Sequence, residues 1–389
     1  MYWRGDELCS GWKTYRVNVR YAELCRQFKE NKHYKSLQSQ SAQQALKTIV
    51  ESINSYNALV GLYYQGEVDK PRVPGYRKPG GLAAVVLPVQ ALQDWDGRSF
   101  RVGVSREAKP DMAEFLGEVR LTPPHFIDPD TVREVRVRPN FGQFWVDWII
   151  EDGKEAIKRN PNLDYTQVWG FDHGGCNWLT GVSTRGRSLI IDGRKLRSMN
   201  QGYSRLVAKY KQGKPEFYWD SNLDRIQRQR NNQMRDAINK AARFIVNQCL
   251  HDRIGNLVIG WNPGQKVESN MGKVNNQNFV PIPTGRLIER LKTLCPEYGI
   301  VLTVTEEAYT SVASSLDGDS LPVYGEKPSE WQASGKRIER GLYKAKDGKV
   351  INADCNAAFN IIRKVAKQLG LNLAKVSKAV LVRFVPGKP

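Results

Sequence analysis

The chain has 389 residues, 40% of them hydrophobic, which leaves room for two or three domains with real cores. Its 59 Lys and Arg against 40 Asp and Glu give a formal charge of +19 and a pI near 9.6, an excess that favours a polyanionic partner through counterion release. The six cysteines form no C-x-x-C pair and no apolar run approaches the roughly 20 residues of a membrane helix, so the chain reads as a cytoplasmic protein with reduced thiols, neither disulfide-framed nor membrane-bound.

In chain order, apolar residues recur at helical spacing over residues 14–30 and again over 36–64, where Leu46, Ile49, Val50, Ile53, Tyr56 and Val60 make the stripe. A small helical bundle accounts for these stripes, and the Lys- and Arg-rich outer faces suit a phosphate backbone. Residues 70–81, with Tyr76 and Arg77 among prolines and glycines, serve equally as a linker or as a nucleic-acid contact. From Leu82 to about Glu151 the period changes to two. The spacing predicts strands over 85–89, 100–104, 132–137 and 144–150, with Arg133, Arg136 and Arg138 forming either a basic row or a solvated face.

Residues 167–171 read as a short buried strand that ends in Asp172 and turns on Gly174 and Gly175. Strands over 179–184 and 188–192 follow, then a long amphipathic helix over about 223–250. Its Arg225, Arg228, Arg230, Arg235, Lys240 and Arg243 are candidate nucleic-acid contacts, and Leu223, Ile226, Met234, Ile238, Ala242, Ile245 and Val246 face the core. Strands over 256–261 and 300–305, separated by a helix over 287–294, imply parallel pairing with crossovers. Near the end, Asn352 caps a helix with Asp354 in its first turn. Alone, Asp354 is explained as an ordinary first-turn acid. A strand-end Asp early and a helix-start Asp late is also how ribonuclease-H-like nucleases assemble a metal site.

The motifs Gly170-Phe171-Asp172-His173-Gly174, Leu257-Val258-Ile259-Gly260-Trp261-Asn262, residues 276–283, Glu306-Glu307-Ala308-Tyr309-Thr310-Ser311, residues 334–343 and residues 352–358 occur in this order. Together they resemble the TnpB (OrfB) proteins of bacterial insertion sequences, most of all the branch common in cyanobacteria. The resemblance implies an α/β multidomain architecture. A helical recognition lobe would span 1–69, a β-barrel wedge domain 70–165 and a RuvC-like (ribonuclease-H-like) nuclease domain 166–389. It further implies a guide RNA from the transposon end and double-stranded DNA cut beside a short adjacent motif. Two Mg²⁺ would be held by three acids, since oxygen ligands suit that ion.

The sequence departs from the family in three places. Gly260 stands where the family usually has the second catalytic Glu, and the resemblance to relatives with the same glycine moves that role to Glu307, with Glu306 as the fallback. A strand neighbour about 4.8 Å away can still reach the site. Between Ser311 and Asn352 there is no cysteine, so the insert at 312–350 is expected to be a basic loop over the cleft, with Lys336, Arg337 and Arg340 and no zinc. The family also usually carries a strand and helix before the segment that Met1-Tyr2-Trp3 begins, so the chain reads as a shortened copy. Two readings stay open: an RNA-guided DNA endonuclease acting through Asp172, Glu307 and Asp354, and a nuclease-inactive RNA-guided DNA-binding protein with the same lobes.

Overall fold

The computed structural model describes residues 18–75, 81–103, 105, 107, 119–151, 153, 155–262, 283–371, 373 and the backbone of 380–384. They divide into two compact units, Met1–Lys154 and Glu155–Pro389. Tyr76, Arg77 and the 276–282 part of the third motif lie outside the described residues, as does the first part of the helix expected over 14–30.

In the first unit, α1 (Tyr21–Phe28), α2 (Lys32–Lys35) and α3 (Ser39–Tyr64) precede the strands. The Gln38 side chain accepts from Ser41 N at 2.9 Å and starts α3, whose Leu46, Tyr56 and Val60 are buried on one side as the helical period requires. Two antiparallel three-stranded sheets follow. One pairs β1 (Val85–Pro88) with β5 (Val132–Asn140) and β6 (Gln143–Ile150); the other pairs β2 (Leu92–Gln93), β3 (Phe100–Val102) and β4 (Arg120–Leu121). Leu87, Leu92, Val132 and Val135 form their shared core, against which Phe100, Val102 and Trp148 pack. The alternating arginines of β5 do not make a free basic row. Arg133 pairs with Glu151, Arg136 with Glu134 and Arg138 with Asp147. This is a solvated face of exposed ion pairs, each contributing little to stability.

The second unit is built on a six-stranded sheet of order β11-β10-β7-β8-β9-β15. Its strands are β7 (Asp164–His173), β8 (Asn177–Ser183), β9 (Arg187–Asp192), β10 (Ile254–Gly260), β11 (Val301–Thr305) and β15 (Val380–Phe384). β7, β8 and β9 form an antiparallel meander, while β10 runs parallel to both β7 and β11. Three antiparallel strands with two parallel strands added beside the first is the ribonuclease-H-like order.

The sheet is covered on both faces, and strand alternation decides which residue goes where. Trp169, Phe171, Leu257 and Ile259 enter the large core under α5 (Ser221–His251) and α6 (Thr284–Leu294). Val168 and Val258 pack on the other side against Ile361, Ile362 and Val365 of α7 (Ala353–Ala366). α7 lies close to the strand because Gly170 has no side chain. A Cβ there would meet Ile362 Cγ1 at 2.2 Å and Ala358 O at 3.0 Å.

Two elements differ from expectation. α4 (Arg194–Lys211) was not foreseen before the long helix, although Leu196, Met199, Tyr203, Val207 and Tyr210 recur in it at helical spacing; only Leu196 and Asn200 of it are buried. The insert is also more ordered than a loop. β12 (Lys336–Glu339), β13 (Leu342–Lys344) and β14 (Val350–Asn352) form an antiparallel meander. The carboxylate of Asp319 ties it down, accepting from Ser314 N at 2.7 Å, Ser334 N at 3.0 Å and the Ser334 hydroxyl. Buried Tyr343 donates its hydroxyl to Val312 O at 2.8 Å. No helix among the described residues is long and apolar enough to cross a membrane.

Candidate active site

Alternation along β7 sends Val168 and Gly170 to the α7 face, and Asp172 follows them there at the strand's carboxyl end. Asp172 is paired with Thr180 of β8, and the strand then turns through Gly174, whose N–H donates to Trp178 O at 3.1 Å. The turn brings Asn177 to α7. Asn177 Nδ2 donates to Asp354 Oδ2 at 2.8 Å across 177 residues of sequence. Asp354 sits in the first turn of α7, where the Asn352 side chain accepts from the backbone N–H of Asp354 and Cys355, both at 3.0 Å. The unpaired N–H groups of that turn favour a carboxylate.

The third acid comes from the neighbouring strand. Gly260 is in register with Thr305, after which β11 ends and the chain bends. The Glu307 side chain then folds back over Gly260. A Cβ at position 260 would lie 2.8 Å from Glu307 Cγ and 3.0 Å from Glu307 Oε1. Glu307 N–H donates to Asn262 Oδ1 at 3.2 Å, and Glu307 Oε1 lies 2.6 Å from His173 Nδ1, whose ring meets Trp261 edge-on at 4.9 Å. Glu306 goes elsewhere. Its carboxylate pairs with Lys364 Nζ and accepts from Ala308 N–H at 2.8 Å. Lys364 lies ten residues beyond Asp354 on α7, about 15 Å along the helix axis. The adjacent Glu306 and Glu307 are thus split by the bend at the end of β11.

Asp172 reports the resulting electrostatics. Desolvation first, then the negative charges of Glu307 and Asp354, hold its carboxyl well above the ordinary value of 3.8, while the Arg337 guanidinium pulls the other way. Arg337 comes from β12 and approaches Asp354 Oδ1 at 3.5 Å. Arg340, in the following turn, donates to Cys176 Sγ at 3.1 Å. The β12–β13 hairpin therefore leans on the acidic cluster. Among the described residues no group of three His, Cys, Asp or Glu side chains is placed so that it could hold a metal ion. The donor chemistry of Asp172, Glu307 and Asp354, all carboxylate oxygens, is of the kind that suits Mg²⁺.

The arginines of α5 divide into two groups. Arg225, Arg235 and Lys240 are exposed and Arg228 is half-buried, Lys240 pairing with Asp236 one turn back at 3.0 Å. Arg230 is occupied: it donates to Asn200 Oδ1 of α4 at 2.8 Å and lies over the Tyr203 ring at 5.5 Å. Arg243 is likewise engaged, over the Tyr298 ring at 5.2 Å. These contacts link α5 to α4 and to Tyr298. Lys336 is exposed on β12. Sequence reasoning missed Asn177 and Asn262, which hold the acids through single hydrogen bonds and belong to no periodic pattern.

Residues 150–263 match the OrfB_IS605 family, described as a probable transposase, and residues 285–361 match the Cas12f1-like TNB domain. No curated protein matches the chain. Among solved structures it is similar to Cas12f1 in a complex with sgRNA and target DNA, at 14% identity and a TM-score of 0.45, over 80% of this chain and 70% of that one. It is also similar to a CRISPR-Cas12f ternary complex, at 11% identity and a TM-score of 0.36, over 88% of this chain and 75% of that one. The fold rests on the strand order above and not on these distant likenesses. Asp172 and Gly260 lie inside the first of the two family matches, and Glu307 and Asp354 inside the second.

Proposed function

We propose that the chain is an RNA-guided DNA endonuclease of a transposable element, of the branch whose third acid has moved to the neighbouring strand. The observation that carries this reading is the approach of carboxylates from distant segments at Asp172, whose carboxyl is held well above its ordinary range by desolvation first and then by the charges of Glu307 and Asp354. A protein gains no stability from such a cluster, so its presence calls for a cationic ligand. Asp172, Glu307 and Asp354 would hold two Mg²⁺. When bound, such ions stabilise the attacking and leaving oxygens of phosphodiester hydrolysis.

The chain's own residues do the positioning. His173 and Asn262 hold Glu307, and Asn177 fixes one oxygen of Asp354. Arg337 and Arg340 bring positive charge to the edge of the cluster, where a scissile phosphate would sit. The partners are a guide RNA from the transposon end and double-stranded DNA with a short adjacent motif. Arg225, Arg228, Arg235, Lys240 and Lys336 are the cations for their backbones, which are held by shape and charge.

The test is Mg²⁺-dependent cutting of a plasmid library by the protein co-expressed with the adjoining transposon-end RNA. Cutting is expected, and its loss in Asp172→Ala and in Asp354→Ala. The second reading, a guided binder that does not cut, is favoured by the partners already on two acids, His173 on Glu307 and Arg337 on Asp354. Guide-dependent DNA binding with intact plasmid at every Mg²⁺ concentration would establish that reading instead.

A further inference from the structure

α4 passes into α5 through residues 212–220, Gln-Gly-Lys-Pro-Glu-Phe-Tyr-Trp-Asp. Gly213, at φ +71°, takes the left-handed conformation that ends α4, and Pro215 follows. The turn carries three consecutive aromatic residues at the tip of a helical hairpin, and among the described residues almost nothing covers Phe217. Phe217 is 89% exposed and Trp219 44% exposed.

The tip is nevertheless well fixed. Asp220 caps α5 by accepting from Leu223 N–H at 2.8 Å and takes the Tyr218 hydroxyl at 2.9 Å. Trp219 Nε1 donates to Asp224 Oδ1 at 2.8 Å. Lys214 Nζ stands 5.2 Å from the centre of the Tyr218 ring, and Lys211 Nζ 5.1 Å from that of Trp219. Polar groups of Tyr218 and Trp219 therefore hold the turn, and Phe217, with no polar group, is left in water as its outermost ring. A folding role does not explain its place.

Flat apolar rings interleaved with ammonium groups are what unpaired nucleotides require: a face on which a base stacks, and cations for the adjoining phosphates. We infer that the α4–α5 tip is a stacking site for single-stranded nucleic acid, with a base on Phe217 and neighbouring phosphates at Lys211 and Lys214. Duplex offers no free base face along its length. A second copy of the chain would oppose like charges, since Arg205, Lys209, Lys211 and Lys214 outnumber Glu216 over residues 205–219. The inference concerns binding alone and stands whether or not the acids cut.

The test uses the full chain in EDTA, so cleavage plays no part. A short oligothymidylate carrying 5-bromodeoxyuridine is photo-crosslinked and the modified peptide located by mass spectrometry, alongside an affinity titration against salt. We expect a crosslink on the peptide containing Phe217. Phe217→Ala should lose it and weaken binding about five-fold or more, with the melting temperature and the salt slope unchanged. Phe217→Trp should retain both, Lys211→Gln with Lys214→Gln should flatten the salt slope, and a capped duplex carrying the same 5-bromodeoxyuridine should give no crosslink on the Phe217 peptide. The inference is overturned if crosslinks fall only elsewhere, or if Phe217→Ala binds as wild type. It is also overturned if Phe217→Ala instead changes the sedimenting mass, which would make the tip a protein interface.

Discussion

Gly260 is the position at which the site is most exposed to a small change. A Cβ there would lie 2.4 Å from Ile361 Cδ1, 2.8 Å from Glu307 Cγ and 3.0 Å from Glu307 Oε1. Carbon atoms in ordinary contact are about 3.5–4.0 Å apart, so in Gly260→Ala the Glu307 side chain must give way by about 1 Å. A displacement of that size in a catalytic group costs on the order of 10²-fold in rate. The fold suffers less. Restricting the unfolded chain gains about 0.4–1 kcal/mol, while overpacking costs about 1–3 kcal/mol, leaving a net loss of about 1–2 kcal/mol. For a unit of this size that is a fall of about 2–8 °C in Tm. Single-turnover cleavage of a guide-matched plasmid, beside a thermal melt, separates the two effects. Gly260→Glu should be inactive with Glu307 present, because both side chains claim one space, and should recover cutting when combined with Glu307→Ala. If Gly260→Ala cuts like wild type while Glu307→Ala is dead, the glycine does not make room for the third acid and the argument fails.

The adjacent acids should separate by phenotype. Glu307→Ala should abolish cutting with an unchanged melt, whereas Glu306→Ala should cut but melt lower, because it leaves Lys364, with a side chain only 7% exposed, without its partner; the reverse pattern in the same plasmid assay would exchange their roles. Asp172 makes the metal-free protein pH-sensitive. Its folded pKa is raised above 3.8, so the stability it confers is full below that value and lost as pH rises through the raised one. Thermal melts in EDTA should fall with rising pH over that window, and Asp172→Asn should flatten the fall and melt higher at neutral pH; an equally steep fall in the variant would exclude Asp172 as its source. On α5, Arg225→Ala should weaken nucleic-acid binding and reduce the salt slope by about one phosphate's worth with little effect on Tm. Arg230→Ala should mainly lower Tm, because it removes the hydrogen bond to Asn200 and the Tyr203 contact; melts and salt titrations on both variants check this.

What could be read from the sequence followed what periodicity encodes. β7 carries Asp172 next to its last residue because apolar residues alternate between two buried faces up to that point, and α7 begins after Asn352 because a capping side chain precedes small apolar residues. The buried face of α5 was visible for the same reason. α4 carries the same signal in Leu196, Met199, Tyr203, Val207 and Tyr210, but among many basic and polar residues, and only Leu196 and Asn200 of it are buried. The strands of the insert were missed because β12 is exposed at all four positions and its neighbours are three residues long. Strand alternation could not by itself sort Glu306 from Glu307, because β11 ends at Thr305 and the bend, not the pleat, aims them. Arg230 looked like its neighbours on the polar face; only the position of α4 beside it makes it structural.

Three acids facing one another are costly in the protein alone, and the manner in which that cost is limited bears on function. Glu307 is held by His173, both side chains being nearly buried at 12% and 14% exposure. Asp354 is met by Arg337 at 3.5 Å, a loose contact from a guanidinium that is 51% exposed. The first is a fixed support that orients the acid. The second is a neighbour long enough and free enough to move when a cation takes the carboxylate. Asp172 shares the influence of Arg337, yet desolvation and its two acidic neighbours still hold its carboxyl well above the ordinary value. A structural ion-pair network would have balanced every acid with a cation, as Asp252 is balanced by Arg187 elsewhere in this unit. Here one acid is fixed, one is lightly neutralised and one is left raised, a graded arrangement that suits a site whose missing charge arrives with its ligand.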